Sequence, residues 1–275
     1  MKPTLLVDAA LALAIALLYA RVGLQMQRRL ATTRDGARAL RSFALWWHAL
    51  AALTALGALR SLLGGLDVLH RAPHATLTFL GVLLLPAALA GLVDYLAYIY
   101  AGTPRWRRPI YAAHAAMAAF FLGLVVWMHP IGVAARDWSV PIQYENQLGG
   151  PLLALALALV LAPVLAGSAA YLTLAFRVRD PTARFRIVTV SGAFLAWFGS
   201  AALANALGWS QWYWWPLVAR GIALGATLLI LLAYNPPRAL RTRMERRGDG
   251  GAPPARPAHG PRLAPAASGT VAVHG

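Results

Sequence analysis

The 275 residues contain no cysteine, which removes disulfides, thiolate metal sites and cysteine nucleophiles and leaves the redox compartment unread. Charge is scarce as well. Only 12% of positions are charged and 59% are hydrophobic, against about 25% and about 45–50% in water-soluble domains, so the chain belongs in a membrane. There is no His-Glu-x-x-His, no Gly-rich phosphate loop and no Gly-x-Ser-x-Gly elbow, and hence no signature of the common metalloproteases, nucleotide enzymes or serine hydrolases. The last apolar run has no lysine, which excludes a retinal Schiff base. Too few histidines and carboxylates share one depth for a membrane zinc hydrolase, and no metal site is expected.

What remains is a set of apolar runs. A membrane-crossing helix needs about 20 mostly apolar residues, and seven segments qualify: 4–22, 42–63, 75–101, 109–128, 150–176, 187–207 and 212–234. The expected fold is all-α, a polytopic seven-transmembrane-helix bundle over residues 1–234. The hairpin from Leu77 to Phe121 sets its orientation, because the turn Thr103 to Pro109 carries three arginines and basic residues accumulate in cytoplasmic loops. The other connections agree: twenty arginines fall in segments expected inside, against Lys2, Arg60, Arg71 and Arg136 expected outside. The N-terminus is therefore expected outside and the C-terminus in the cytoplasm. Lys2 alone precedes the first run and six arginines follow it, so that run reads as a retained helix and not a signal peptide.

The formal charge of +16 finds its explanation in this topology, and no nucleic-acid motif accompanies it. Asn235-Pro236-Pro237 ends the last helix. Residues 235–247 form a basic juxtamembrane segment suited to anionic headgroups, and 248–275 form a Pro/Ala/Gly-rich tail expected to be disordered. No soluble catalytic domain is expected. The Ala, Arg and Leu content suits a bacterium with a GC-rich genome, and hence the bacterial cytoplasmic membrane.

The longest external connection, Met128 to Gly149, contains Trp138, Tyr144 and Glu145 and reads either as an interfacial loop or as a lid. Trp209, Trp212, Tyr213, Trp214 and Trp215 are expected in an outer aromatic belt, and Trp46, Trp47 and Trp106 in an inner one. Gly221 and Gly225 have the spacing of a close helix contact. Pro86 and Pro163 interrupt the third and fifth segments.

Ionisable residues within a bilayer cost on the order of 2.5–3.5 kcal/mol at a helix centre, so each is a candidate site. Asp94, His48 and His114 fall at similar depth on three consecutive segments, with Tyr98 one turn beyond Asp94. Converging, they would form an inner polar cluster: a proton relay, a ligand pocket or a pair of axial haem histidines, unless they are an interhelical hydrogen-bond set or snorkelling groups. On the outer side Arg220 needs a partner, with Asp8, Asn205 and Glu145 as the choices. The expectation is a structural Asp8–Arg220 ion pair, or an anion-binding pocket of Arg220, Asn205, Glu145 and Trp138.

Several features together resemble a known family. The basic first inside loop, Leu80-Gly81-Val82-Leu83-Leu84-Leu85-Pro86 at the opening of the third helix, a tyrosine-rich end before a short basic turn, and Arg184-Phe185-Arg186 at the start of the sixth resemble the seven-helix N-terminal sensor region of bacterial histidine kinases. No coiled-coil linker, phosphoacceptor domain or ATP-binding domain follows, so the resemblance implies a free-standing sensor module that signals through a partner protein. The sequence leads to a receptor-like or ligand-binding membrane protein, with no cofactor expected. The alternative is a membrane enzyme or redox protein acting on a lipid, quinone or haem at the inner Asp/His cluster.

Overall fold

The computed structural model describes residues 2–30, 37–68, 71–100, 104–133, 136–140, 142–146, 150–207, 212–240 and 242; the tail 248–275 and part of the basic segment lie outside the described residues. Seven helices are found among them: α1 (Pro3–Leu30), α2 (Ala37–Gly65), α3 (Arg71–Tyr100), α4 (Pro104–Met128), α5 (Gly150–Leu174), α6 (Pro181–Ala206) and α7 (Trp215–Tyr234). Six contain stretches long and apolar enough to cross a membrane, and the described apolar part of α5, Leu161–Leu174, is shorter.

Four helix ends depart from the expected spans by five residues or more, at Leu30, Ala37, Pro104 and Pro181, and the first and third have clear local reasons. α1 runs on to Leu30 because Gln25, Gln27, Arg28 and Arg29 are good helix formers that need no apolar surroundings, while Met26 packs into the core. α4 begins at Pro104, where a proline's fixed φ and missing N–H suit a first helical turn. The arginines 105 to 108 are thus helical, not a turn.

Between α4 and α5 the chain forms a small antiparallel pair that was not expected, β1 (Pro130–Val133) with β2 (Ile142–Tyr144), with Gly132 opposite Gln143 and an irregularity after Pro130. His129 turns the chain out of α4 with φ of 46°. This β1–β2 hairpin marks one end of the bundle, its hairpin end, away from the basic segment that opens α4. The opposite end carries most of the arginines.

α1 packs along α2, α2 along α3, α5 along α6 and α6 along α7, while α1 meets α7 and closes the ring. The centre is aromatic. Trp46 and Trp47 are 1% and 0% exposed, and so are not the interfacial belt residues that the sequence suggested. Phe43 stacks on Tyr95 at 4.5 Å, Phe194 meets both tryptophans, and Tyr19 stacks on Trp197 at 5.3 Å. Lipid is as apolar as these rings, so burial alone does not hold such helices together; interlocking shape does. Each well-placed aromatic pair adds about 0.5–1.5 kcal/mol. Trp106 and Trp212 to Trp214 are exposed, as belt residues are.

Close helix approach depends on glycines other than the pair expected. Nothing lies within 4 Å of a Cβ built at Gly221 or Gly225. At Gly91 of α3, by contrast, a Cβ would sit 2.9 Å from the Ser42 carbonyl and 3.1 Å from the Trp46 nitrogen, both backbone atoms of α2. Backbone cannot rotate aside, so Gly91→Ala must part α2 from α3. It should destabilise by about 1–3 kcal/mol and lower the detergent melting temperature, whereas Gly123→Ala, with nothing within 4 Å, should leave that temperature unchanged or raise it.

Candidate functional site

The hairpin end holds a cavity of about 360 Å³ between α1, α2, α6, α7 and the segment Trp138 to Val140. Small residues make the room: Gly57 on α2, and Ala219 and Ala223 one turn apart on α7. Asp8, in the second turn of α1, enters from one side with its side chain 5% exposed. Arg220 Nε donates to Asp8 Oδ1 at 3.1 Å, and Ser61 Oγ donates to Asp8 Oδ2 at 2.7 Å. The carboxylate is thereby satisfied on both oxygens, as a buried acid must be.

A second guanidinium shares the cavity. Arg60, beside Ser61 on α2, donates from Nη2 to the Val140 carbonyl at 2.5 Å, which fastens the loop across the opening. Its Nε is buried and has no hydrogen-bond partner. Two arginines therefore face one carboxylate, with Trp138, Trp197 and Trp215 as walls. Tyr144 of β2 lies near enough to feel this excess: burial pushes its hydroxyl above the ordinary tyrosine value, and Arg60 pulls it back.

Of the outer residues singled out by sequence, Asp8, Arg220 and Trp138 meet at this cavity. Glu145 does not; it is exposed and lies 4.0 Å from His129, because the β ribbon carries it outward past the opening. The side chain of Asn205 on α6 is outside the described residues.

The arginine-rich end has a different node. Asp94 of α3 accepts a short hydrogen bond from Ser42 Oγ, another from the Tyr111 hydroxyl at 2.5 Å, and one from Arg38 Nη2 at 3.0 Å. One carboxylate thus joins α2, α3 and α4. The histidines and Tyr98 are elsewhere, so the expected Asp94, His48, His114 and Tyr98 cluster is not formed. His48 lies against Gly23 of α1, where its ring is 2.7 Å from a built Cβ, and its Nε2 is buried without a partner. His114 faces an apolar recess with Pro86 and Pro163. Tyr98 receives the Arg107 guanidinium over its ring at 4.8 Å. The two histidines face different helices, and no group of three metal-ligating side chains occurs among the described residues.

Sequence reading did not find Arg60 and Ser61, or Ser42, Arg38 and Tyr111. Arg60 sits inside an apolar run and was counted with the outer loops, although its place one residue from Ser61 and one to two turns below the helix end was a usable signal. Ser42 and Tyr111 carry none, since hydroxyls are tolerated anywhere in a membrane helix.

The helices and their apolar lengths define a class, a multi-pass helical membrane protein. No protein-family model, curated protein or solved structure matches the chain.

Removing one partner of a buried ion pair strands the other, at a cost of about 3–5 kcal/mol. Asp8→Asn should therefore cut folded yield and melting temperature sharply, while Glu145→Gln, at an exposed site, should stay within about 0.5 kcal/mol of the parent. Equal tolerance of both in a thermal unfolding assay would show that the pair does not hold the fold.

Proposed function

We propose that the chain is a receptor-like, ligand-binding protein of seven membrane-spanning helices, with its N-terminus outside, its C-terminus in the cytoplasm and its hairpin-end cavity open to the outside. The observation that carries the reading is the cavity itself, where two guanidiniums meet one carboxylate. A cavity needed only for folding would hold a neutral pair; an uncompensated cation at the edge of a bilayer is costly and supplies a binding group. The volume of about 360 Å³ lies at the lower end of the range for small-molecule sites.

The seventh span is α5, whose 25 residues reach about 37 Å at 1.5 Å each. The orientation follows the arginine distribution, and the membrane is the bacterial cytoplasmic one. A route for a signal runs along α2. It carries Arg60 and Ser61 at the cavity and Arg38 and Ser42 at the Asp94 node, and Ser42 to Arg60 spans about 27 Å. A ligand that shifts α2 at one end would disturb the carboxylate joining α2, α3 and α4 at the other. A partner protein would read that change, as the resemblance to kinase sensor regions implies.

The absence of cysteine makes the test direct, since any introduced thiol is the only one. In intact cells a membrane-impermeant maleimide should label Ala219→Cys, on the cavity wall, and should label Thr242→Cys, beyond α7, only after lysis. The reverse pattern would overturn the orientation, and a thiol at position 219 closed to reagent from both sides would remove the open pocket.

A further inference from the structure

We propose that the hairpin-end cavity takes a small planar monocarboxylate, with its carboxylate between Arg60 and Arg220 and its ring against the tryptophan walls. The proposal rests on the reading of that cavity as an outward ligand site and adds the chemical class of the ligand.

Charge sets the valence. Asp8 is already matched by Arg220 Nε and Ser61, so the cavity carries one unit of positive charge in excess, from Arg60. A monoanion closes that balance. A phosphate dianion would overshoot it and lie against Asp8, and an amine would add a third cation.

Geometry sets the head group. Arg220 spends Nε on Asp8, and its Nη2 lies toward Gly57, 3.7 Å from a built Cβ. Nη2 thus lies over the one glycine of the cavity lining, where no side chain crowds it. Arg60 spends Nη2 on a neutral acceptor, the Val140 carbonyl, and leaves the buried Nε unmet. A planar fork with open donors matches a carboxylate, which can accept two parallel bonds, and a charged acceptor binds about twice as strongly as a carbonyl. A carboxylate would therefore displace the Val140 carbonyl, and the loop fastened by that bond would move with it.

The walls set the body of the ligand. Trp138 comes from the loop, Trp197 from α6 and Trp215 from the start of α7, three indoles from three elements that give the lining its aromatic surface. Aromatic rings gain from offset or edge contacts with such faces beyond simple burial. Trp197 in turn stacks on Tyr19 of the core, so the floor of the cavity is fixed before anything binds.

The test uses the full-length Ala219→Cys protein in lipid nanodiscs with 2-naphthoate as probe, reading both calorimetric binding and protection of the thiol from maleimide. Saturable binding with protection is expected. 2-Naphthamide, the same shape without charge, should bind at least about 10-fold more weakly, and 2-naphthyl phosphate should also bind more weakly than the carboxylate. Arg60→Gln should weaken 2-naphthoate about 30-fold. Arg60→Lys, which keeps the charge and the chance of folding but loses the fork, should fall between. Equal binding of acid and amide, tighter binding of the phosphate, or full affinity in Arg60→Lys would each overturn the proposal. A thiol labelled from outside but never protected by 2-naphthoate would defeat the ligand class and leave the outward pocket standing; a thiol that reagent cannot reach would defeat the pocket as well.

Discussion

The Asp8–Arg220 ion pair joins the first helix to the last at 3.1 Å, and Ser61 of the second helix closes the same carboxylate. In water such a pair would be worth little. Here Asp8 is almost wholly buried in a bundle rich in alanine and leucine, and an unpaired acid or arginine at that place would cost several kcal/mol. The pair therefore acts mainly as a constraint: bundles in which α1 and α7 are apart, or in which either has rotated, leave a charge unmet. Closing the ring between α1 and α7 is thus fixed by charge, whereas the contacts of α1 with α2 and of α2 with α3 follow from chain neighbourhood and small-residue packing.

The same carboxylate limits what the cavity can be. Each of its oxygens already has a donor, and a carboxylate can only accept, so the donors that an anion needs at the hairpin end lie on the arginines. At the other end Asp94 has a similar role with different partners, gathering Ser42, Tyr111 and Arg38. The α4 helix shows why that node is needed. Only 6% of its apolar window is buried, so Tyr111 to Asp94 is one of few specific ties between α4 and its neighbours. Next to the Asp94 node lies the packing of Phe43, Trp46, Trp47 and Phe194, which anchors that end of α2 in the core.

Depth along a helix was legible in the sequence and direction around it was not. Asp8 could be put forward beside Asn205 and Glu145 as a partner of Arg220 because so few ionisable residues lie in apolar runs at that depth, and the geometry selects Asp8. Asp94, His48 and His114 share a depth too, yet they face different neighbours. A soluble helix declares its inner face through an apolar stripe, but α3 and α5 are apolar all round, and the face toward lipid looks like the face toward protein. The close contacts escaped for the same reason: Gly91 and Gly221 look alike in sequence, and only Gly91 meets backbone. The ribbon of β1 and β2 was out of reach because strands of four and three residues leave almost no alternation to read.

Arg60 is where these threads meet. It stands one residue from Ser61, and so is carried to the cavity by the packing of α2 on α1 that satisfies Asp8. Had evolution needed only the ion pair, a neutral residue at position 60 would have spared the cost of placing a cation among tryptophans. The Val140 carbonyl meets only part of that cost, because Nε remains buried and unmatched, and an unsatisfied buried donor typically costs about 1–3 kcal/mol. A fold that keeps such a group holds binding energy in reserve, available to an acceptor better than a carbonyl. The loop that supplies the carbonyl is also the loop that covers the cavity. Under the proposed reading, occupancy of the site and position of the loop are therefore linked through the Arg60–Val140 hydrogen bond near the end of α2, the helix that also reaches Asp94.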